Sequence, residues 1–192
     1  ILHGLREKAE PTGAKQDREE GLKREPTDPA GWVARGLARA NTDPKGALAD
    51  FETAERLAPR YPEALVNQAW VLGEKLNEPK AAIAAAERLL AFRPDHLNAR
   101  GGRAVLLARL GQTEEAISEA KKCLEKATHP SAYYHAGCVY AAVSRTDPKY
   151  RAEGVRLVAK ALWRGFGQEH VVGDHDLDPL RNDPEFRKIA EG

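Results

Sequence analysis

Small residues recur along this chain at a nearly constant interval. One series, Gly36, Ala69, Ala104 and Gly137, is spaced by 33, 35 and 33 residues. Two further series agree with it, each with steps of 35, 34 and 38 residues. Their members are Ala47, Ala82, Ala116 and Gly154, and Ala54, Leu89, Cys123 and Ala161. A chain that repeats itself every ~20–50 residues folds as stacked copies of one supersecondary unit, so this period constrains the fold more than any other feature.

Each repeat is predicted to contain two helices joined by a turn. In the first repeat, Asp28-Pro29 places a capping carboxylate before a proline, and apolar residues from Trp32 onward recur at helical spacing. Asn41-Thr42-Asp43-Pro44 supplies the turn and a second helix start, and Pro59 ends that helix. Small residues inside such a hairpin let the two helix axes cross closely. We therefore predict an all-α chain of about four helix-turn-helix units.

The repeat register also predicts the domain boundaries. The four units are predicted at 28–61, 62–96, 97–129 and 130–167, the last being atypical because it carries Gly154 and lacks a closing proline. Residues 1–27 are predicted to be either an N-terminal arm or the helix of a degenerate repeat. Residues 168–192 are predicted to be a cap, since Asp183-Pro184 starts a helix and the exposed end of a solenoid needs cover. Its apolar residues are Leu177, Leu180, Phe186 and Ile189.

The composition disfavours several classes of partner. Thirty Lys and Arg against 29 Asp and Glu leave a net charge of +1, which argues against a nucleic-acid protein held by a basic face. No uncharged apolar stretch approaches the ~20 residues of a membrane span, so no membrane association is expected. Two cysteines without ligand spacing, and no export signal, favour a reducing, cytoplasmic location. Because the chain begins at Ile1, we expect it to be part of a longer protein.

No catalytic, metal or cofactor site is predicted. Three aspartates from Asp174 to Asp178 follow the offsets of a calcium loop, but Pro179 stands where such a loop needs glycine. His135 and Cys138 lie three residues apart without an orienting acid, which is weak evidence for a nucleophile, so both cysteines are predicted as buried thiols. The chain is predicted not to be an enzyme and to need no cofactor.

The chain resembles the tetratricopeptide repeat over about residues 29–165. The resemblance rests on the Trp32…Gly36 pair, the Ala47…Phe51…Ala54…Pro59 run and the matching residues of the later repeats. The resemblance implies a right-handed α-solenoid with a short C-terminal capping helix. The chain departs from the usual pattern at three polar positions. Arg39 stands where an aromatic residue or leucine is usual, and Gln68 and Arg103 replace a common leucine.

The resemblance also implies a concave groove, lined by the first helix of each unit, that binds a peptide or partner segment. The predicted contact residues are Val33, Leu37, Asn41, Asn67, Trp70, Glu74, Asn98, Arg109, Tyr134 and His135. Packing of Trp70 between units is the alternative for that side chain. The resemblance does not extend to a clamp for chaperone carboxylate tails, because Val33 and Gly101-Gly102 stand where that clamp has basic residues. A non-catalytic scaffold for a protein or peptide is therefore predicted, with self-association left open.

Two other functions remain open. Residues 176–181 with Asp183-Pro184-Glu185-Phe186 resemble a segment that follows tetratricopeptide regions in bacterial serine/threonine protein kinases, which implies a regulatory or substrate-recruiting role. An RNA-reading repeat is less favoured, because no base-reading pair recurs. A basic row on one helix face is predicted to be either solvated or in contact with an acidic partner. The row consists of Lys149, Arg156, Lys160 and Arg164.

Overall fold

The computed structural model describes residues 24–191, and in that range it contains nine α-helices, two 3-10 turns and no strand. The all-α prediction is confirmed. Most of the predicted N-terminal arm lies outside the described residues. The helices are α1 (Pro29–Arg39), α2 (Pro44–Leu57), α3 (Pro62–Glu74), α4 (Pro79–Phe92), α5 (Leu97–Arg109), α6 (Thr113–Glu125), α7 (Ser131–Val143), α8 (Arg151–Trp163) and α9 (Pro184–Glu191); the 3-10 turns are Pro148–Tyr150 and His175–Leu180. No helix in the described range is long and apolar enough to cross a membrane.

Proline and aspartate set several helix starts. The Asp28 carboxylate accepts a hydrogen bond from the backbone N–H of Gly31 at 3.0 Å, and Pro29 follows it at the first helical position. Asp43 caps α2 in the same way, through Gly46 at 2.9 Å. The predicted cap at Asp183 is confirmed, since its carboxylate accepts from the first free N–H groups of α9.

The chain divides into two compact units between Pro94 and Asp95. In the first unit, α1 packs against α2, α3 packs against α4, and α3 also contacts both helices of the preceding hairpin. In the second unit, α5 pairs with α6 and α7 pairs with α8, while α7 contacts both α5 and α6. Each unit is therefore a stack of two helical hairpins, and the second also carries the C-terminal cap.

The periodic small residues lie where helices cross. A Cβ atom on Gly36 would lie 2.5 Å from the Phe51 ring, so the ring fills the space that a side chain would take. In the last hairpin, a Cβ on Gly137 would lie 2.6 Å from Cγ2 of Val158 and 3.1 Å from the backbone nitrogen of Val158. These approaches explain why the period of small residues predicted helical hairpins.

The C-terminal cap, residues 168–191, covers α7 and α8 with apolar side chains. Leu177 and Leu180 are fully buried, Phe186 is nearly so, and Ile189 is half-buried. The 3-10 turn His175–Leu180 contacts both α7 and α8, and α9 contacts α8. The predicted capping helix is thus confirmed as α9, preceded by a turn that makes most of the contact with α7.

The three residues at which the chain departs from the usual repeat pattern are held by ion pairs and side-chain hydrogen bonds. Arg39 donates to Asp50 at 3.2 Å and also pairs with Asp43. Gln68 donates to Glu55 at 2.7 Å and accepts from Arg88 at 2.6 Å. A polar residue at such a crossing is tolerated because it has partners there.

The third departure, Arg103, forms part of a similar network in the second unit. It donates to Glu115 at 2.6 Å and lies 3.8 Å from Glu119, which itself accepts from Arg100 at 2.7 Å. Arg35, in the register of Gln68 and Arg103, pairs with Asp50 through two hydrogen bonds of 2.6 and 3.1 Å. The helix crossings are therefore held by charge pairs as well as by apolar packing.

Candidate functional site

In the first unit, the predicted contact residues form a mixed surface on α1 and α3, which we call the unit 1 face. Leu37 is 49% exposed although it is a large apolar residue. Trp70 is half-buried and packs against the apolar core of the unit, so part of its ring serves the core and part reaches the surface. Lys75 lies 5.4 Å above this ring.

The same two helices and the turn after α1 also carry polar residues. Asn67 donates to the backbone carbonyl of Glu63 at 2.7 Å, which fixes the rotamer of its amide. Asn41 and Glu74 are exposed, whereas Val33 is buried and contributes to the core. An exposed leucine and a half-buried tryptophan, carried together with amides and a carboxylate on the first helices of two successive hairpins, have the make-up of a small protein-interaction surface.

In the second unit, the predicted contact residues meet the C-terminal cap. The Arg109 guanidinium donates two hydrogen bonds, of 2.8 and 2.7 Å, to the two carboxylate oxygens of Asp176. The Tyr134 hydroxyl donates to Asp174 at 2.9 Å, and the Cys138 sulfur lies 3.8 Å from the same oxygen. The chain's own acidic residues thus engage side chains that the family resemblance assigns to ligand binding.

Asn98 lies apart from this cluster. It is exposed near the start of α5, and its side-chain oxygen accepts from the Ser131 hydroxyl at 3.1 Å, next to the beginning of α7. The structure therefore brings Arg109, Tyr134 and Cys138 together around the cap but leaves Asn98 in a separate contact.

Burial keeps the His135 imidazole and the Cys138 thiol of this cluster neutral. Burial lowers the pKa of His135 to about 4, against a partial opposing effect of Asp174 and Asp176, and its Nδ1 has no hydrogen-bond partner. Burial, and after it the charge of Asp174, raises the pKa of the Cys138 thiol well above its ordinary value. A protonated thiol is a poor nucleophile, so the cluster is suited to packing and hydrogen bonding rather than to covalent chemistry.

Three potential metal ligands lie close together in this cluster. The side-chain ligand atoms of Cys138, Asp174 and Asp176 are all within 4.8 Å of one another. The Arg109 guanidinium already places a positive charge on both oxygens of Asp176, and the thiol is protonated at neutral pH. A cation entering here would have to displace arginine and a proton, so we assign the cluster to the internal structure of the unit.

Sequence reasoning missed the acidic partners of Arg109 and Tyr134. The calcium-loop offsets and the kinase-associated segment give Asp174 and Asp176 no partner on α5 or α7. In the structure, Asp174 also caps the 3-10 turn by accepting from the N–H of Asp176 at 2.9 Å. The signal that could have found the pairs is the apolar spacing of Leu177 and Leu180. Their burial brings the preceding acids onto α7.

Two stacked hairpins in each unit, crossing at small residues every ~34 positions, are the fold of tetratricopeptide-repeat proteins. The solved structures agree. MamA superposes with a TM-score of 0.59 at 21% identity over 79% of this chain and 86% of that one. YrrB, described as a TPR protein with an unusual peptide-binding site, gives 0.57 at 21% identity over 79% and 85%.

A third similar structure is PilW, described as a widely conserved type IV pilus biogenesis factor. Its TM-score is 0.54 at 21% identity, covering 86% of this chain and 88% of that one. No protein-family model and no curated protein sequence matches the chain. At this level of identity, the similarity establishes the fold.

Proposed function

We propose that this chain is a non-catalytic protein-interaction module whose unit 1 face binds an extended peptide segment of a partner protein. The observation that carries the proposal is the exposure of Leu37, at 49%, on the first helix of a hairpin stack whose next first helix presents Trp70. Exposed apolar side chains on a rigid helical scaffold, with polar groups around them, are typical anchors for a peptide.

The second unit supports the same assignment by contrast. Arg109 and Tyr134 are engaged by Asp176 and Asp174, and the cap that carries these acids is anchored by the fully buried Leu177 and Leu180. Displacing two such side chains from a core costs roughly 3–6 kcal/mol, which few peptide contacts offset. We therefore assign the ligand-binding role chiefly to Leu37, Asn67 and Trp70 and their neighbours, and a structural role to Arg109 and Tyr134.

The solved neighbours favour a peptide as the ligand class. YrrB is described as having a peptide-binding site, and its fold covers most of this chain. A soluble, cytoplasmic module without catalytic activity is consistent with the protonated thiols and the near-neutral charge.

The regulatory role implied by the kinase-associated segment stays a prediction from sequence. In the structure, Asp176, Leu177, Leu180 and Phe186 of that segment are buried within the second unit. These contacts account for the four buried residues as part of the fold.

The test is a selection of random dodecapeptides, displayed on phage, against the whole chain, followed by calorimetric titration of the most enriched synthetic peptide. We expect Leu37→Ala to weaken binding by at least about tenfold, as at interface anchors. Leu57→Ala is the matched control, because Leu57 is 53% exposed in the same unit but lies at the end of a second helix. If both substitutions weaken binding equally, or if neither weakens it, the binding site lies elsewhere.

A further inference from the structure

The predicted basic row begins in the 3-10 turn at Lys149, before α8, and ends at Arg164, just after it. Only half of its positive charge is neutralised. Lys149 pairs with Asp147 at 2.5 Å, and Arg156 pairs with Glu153 through bonds of 2.6 and 2.7 Å. By contrast, Lys160 and Arg164 have no carboxylate partner among residues 24–191. The unsatisfied positive charge is thus concentrated at the C-terminal end of the helix.

Both of these cations lie over one aromatic ring. The Lys160 ammonium is 4.1 Å from the centroid of the Tyr133 ring, and the Arg164 guanidinium carbon is 5.6 Å from it. Cation–π contacts of this kind hold long side chains in place without neutralising their charge. The two cations are therefore ordered and remain available to an anion.

A large apolar side chain projects from the same end of α8. Trp163 is 86% exposed, the highest exposure of any large apolar residue in the described range, and it is the last residue of α8. It follows Lys160 by three positions and precedes Arg164, so all three side chains project from the same end of the helix. We call the surface formed by Tyr133, Lys160, Trp163 and Arg164 the Trp163 patch.

We propose that the Trp163 patch binds an acidic peptide segment of a partner protein, with carboxylates facing Lys160 and Arg164 and an apolar or aromatic side chain covering the indole. Charge complementarity favours this partner, and the residue types of the patch, Trp, Tyr and Arg, are those that dominate protein interfaces. Two cations match a short acidic peptide segment, whereas binding along the phosphate backbone of a nucleic acid calls for a longer series of cations. Because the patch lies around the C-terminal end of α8, in the second unit, it goes beyond the function proposed for the unit 1 face.

The test uses three fluorescein-labelled probes with the whole chain. The first is the peptide Glu-Asp-Phe-Glu-Asp-Leu, labelled at its N-terminus and amidated at its C-terminus, so that it has no terminal carboxylate. The second replaces its acids by Gln and Asn, and the third is a twelve-nucleotide oligouridylate. Binding is followed by fluorescence anisotropy at about 50 and 300 mM NaCl, since screening weakens contacts between exposed charges.

The variants are Trp163→Ala and the double substitution Lys160→Gln with Arg164→Gln. The double control is Lys121→Gln with Arg151→Gln, which removes the same charge from exposed positions of the second unit. We expect the acidic peptide to bind and each patch variant to weaken it at least about tenfold, with the control within about twofold. Unchanged helicity and melting temperature are expected for every variant because the altered side chains are mostly exposed.

Several outcomes would overturn the proposal. They are no binding of the acidic peptide, equal binding of the neutral peptide, tighter binding of the oligouridylate, or patch variants that bind like the control. Self-association that Trp163→Ala abolishes, seen by sedimentation, would assign the patch to a second copy of this chain instead. Leu37→Ala is expected to leave binding of the acidic peptide unchanged, so failure here is distinguishable from failure at the unit 1 face.

Discussion

Removal of the Asp50 carboxylate is expected to destabilise the first unit more than any surface substitution there. Asp50 is 2% exposed and accepts hydrogen bonds from Arg35, at 2.6 and 3.1 Å, and from Arg39, at 3.2 Å. Asp50→Ala would leave the Arg35 guanidinium without an anion and would leave Arg39 with Asp43 alone. Breaking a buried pair in this way costs about 3–5 kcal/mol. Because the side chains of Arg35 and Arg39 retain 16% and 25% exposure, we expect about 3 kcal/mol.

The assay can be confined to the first unit. Of the three tryptophans, Trp32 and Trp70 lie in the first unit and Trp163 in the second. In a Trp163→Phe background, tryptophan fluorescence during urea unfolding therefore reports the first unit alone. With a slope of about 1–3 kcal/mol per molar urea, a loss of about 3 kcal/mol lowers the midpoint by roughly 1–3 M.

Two further variants separate charge pairing from packing. The double substitution Arg35→Leu with Asp50→Leu removes both charges at a crossing where the repeat family commonly has leucine, and we expect stability within about 1 kcal/mol of the parent. Asp50→Asn keeps the size but loses the charge and should be intermediate. A midpoint for Asp50→Ala that differs from the parent by less than about 0.3 M would refute the view that this pair holds the hairpin together.

Three other perturbations follow from packing and titration. Gly36→Ala is expected to lower the melting temperature and to cost about 1–3 kcal/mol of unfolding free energy, because its Cβ would lie 2.5 Å from a carbon of the Phe51 ring. Gly102→Ala, in open space, should be neutral or stabilising. Equal melting temperatures for the two variants would contradict the close helix crossing at Gly36. Because the buried, neutral His135 has a pKa of about 4 while the unfolded residue titrates near 6.5, unfolding takes up a proton as the pH falls through that window. Stability should drop by about 2 kcal/mol between pH 7 and 5, by denaturant titration, and a variant with leucine at this position should lose that pH dependence. Arg109→Met leaves the nearly buried Asp176 carboxylate without its guanidinium partner. The backbone amides of residues 174–181 should then exchange their hydrogens at least about tenfold faster. Unchanged protection from exchange would show that the pair contributes little.

The fold was predictable because its determinants are local and periodic. Proline at the first helical position and aspartate before it marked the helix starts at Pro29, Pro44 and Pro184, and the structure places them there. The small residues marked the crossings because Gly36 and Gly137 each face a side chain that fills the missing volume. Such signals act within a few residues or at a fixed period, so a single sequence is enough to detect them.

The candidate site was less predictable because its contacts span long separations. Arg109 and Asp176 are 67 residues apart, and nothing in the composition of either segment indicates that they pair. Position in the repeat predicted that Tyr134 faces a ligand, but the residue that it faces comes from the same chain. The unusual residues at Gln68 and Arg103 were visible as departures, yet their partners emerged only from the packing of neighbouring helices.

The polar crossings also make each hairpin chemically distinct. The first crossing pairs Arg35 with Asp50, and another joins Gln68 with Arg88. In the second unit, Arg103 meets Glu115. If a newly made helix packed against the wrong neighbour, it would bury a charged group without its partner in an apolar environment, whereas leucines at these positions would impose no such penalty. Repeats of similar sequence are prone to misassembly during synthesis, and these three polar pairs disfavour docking of a helix against the wrong neighbour.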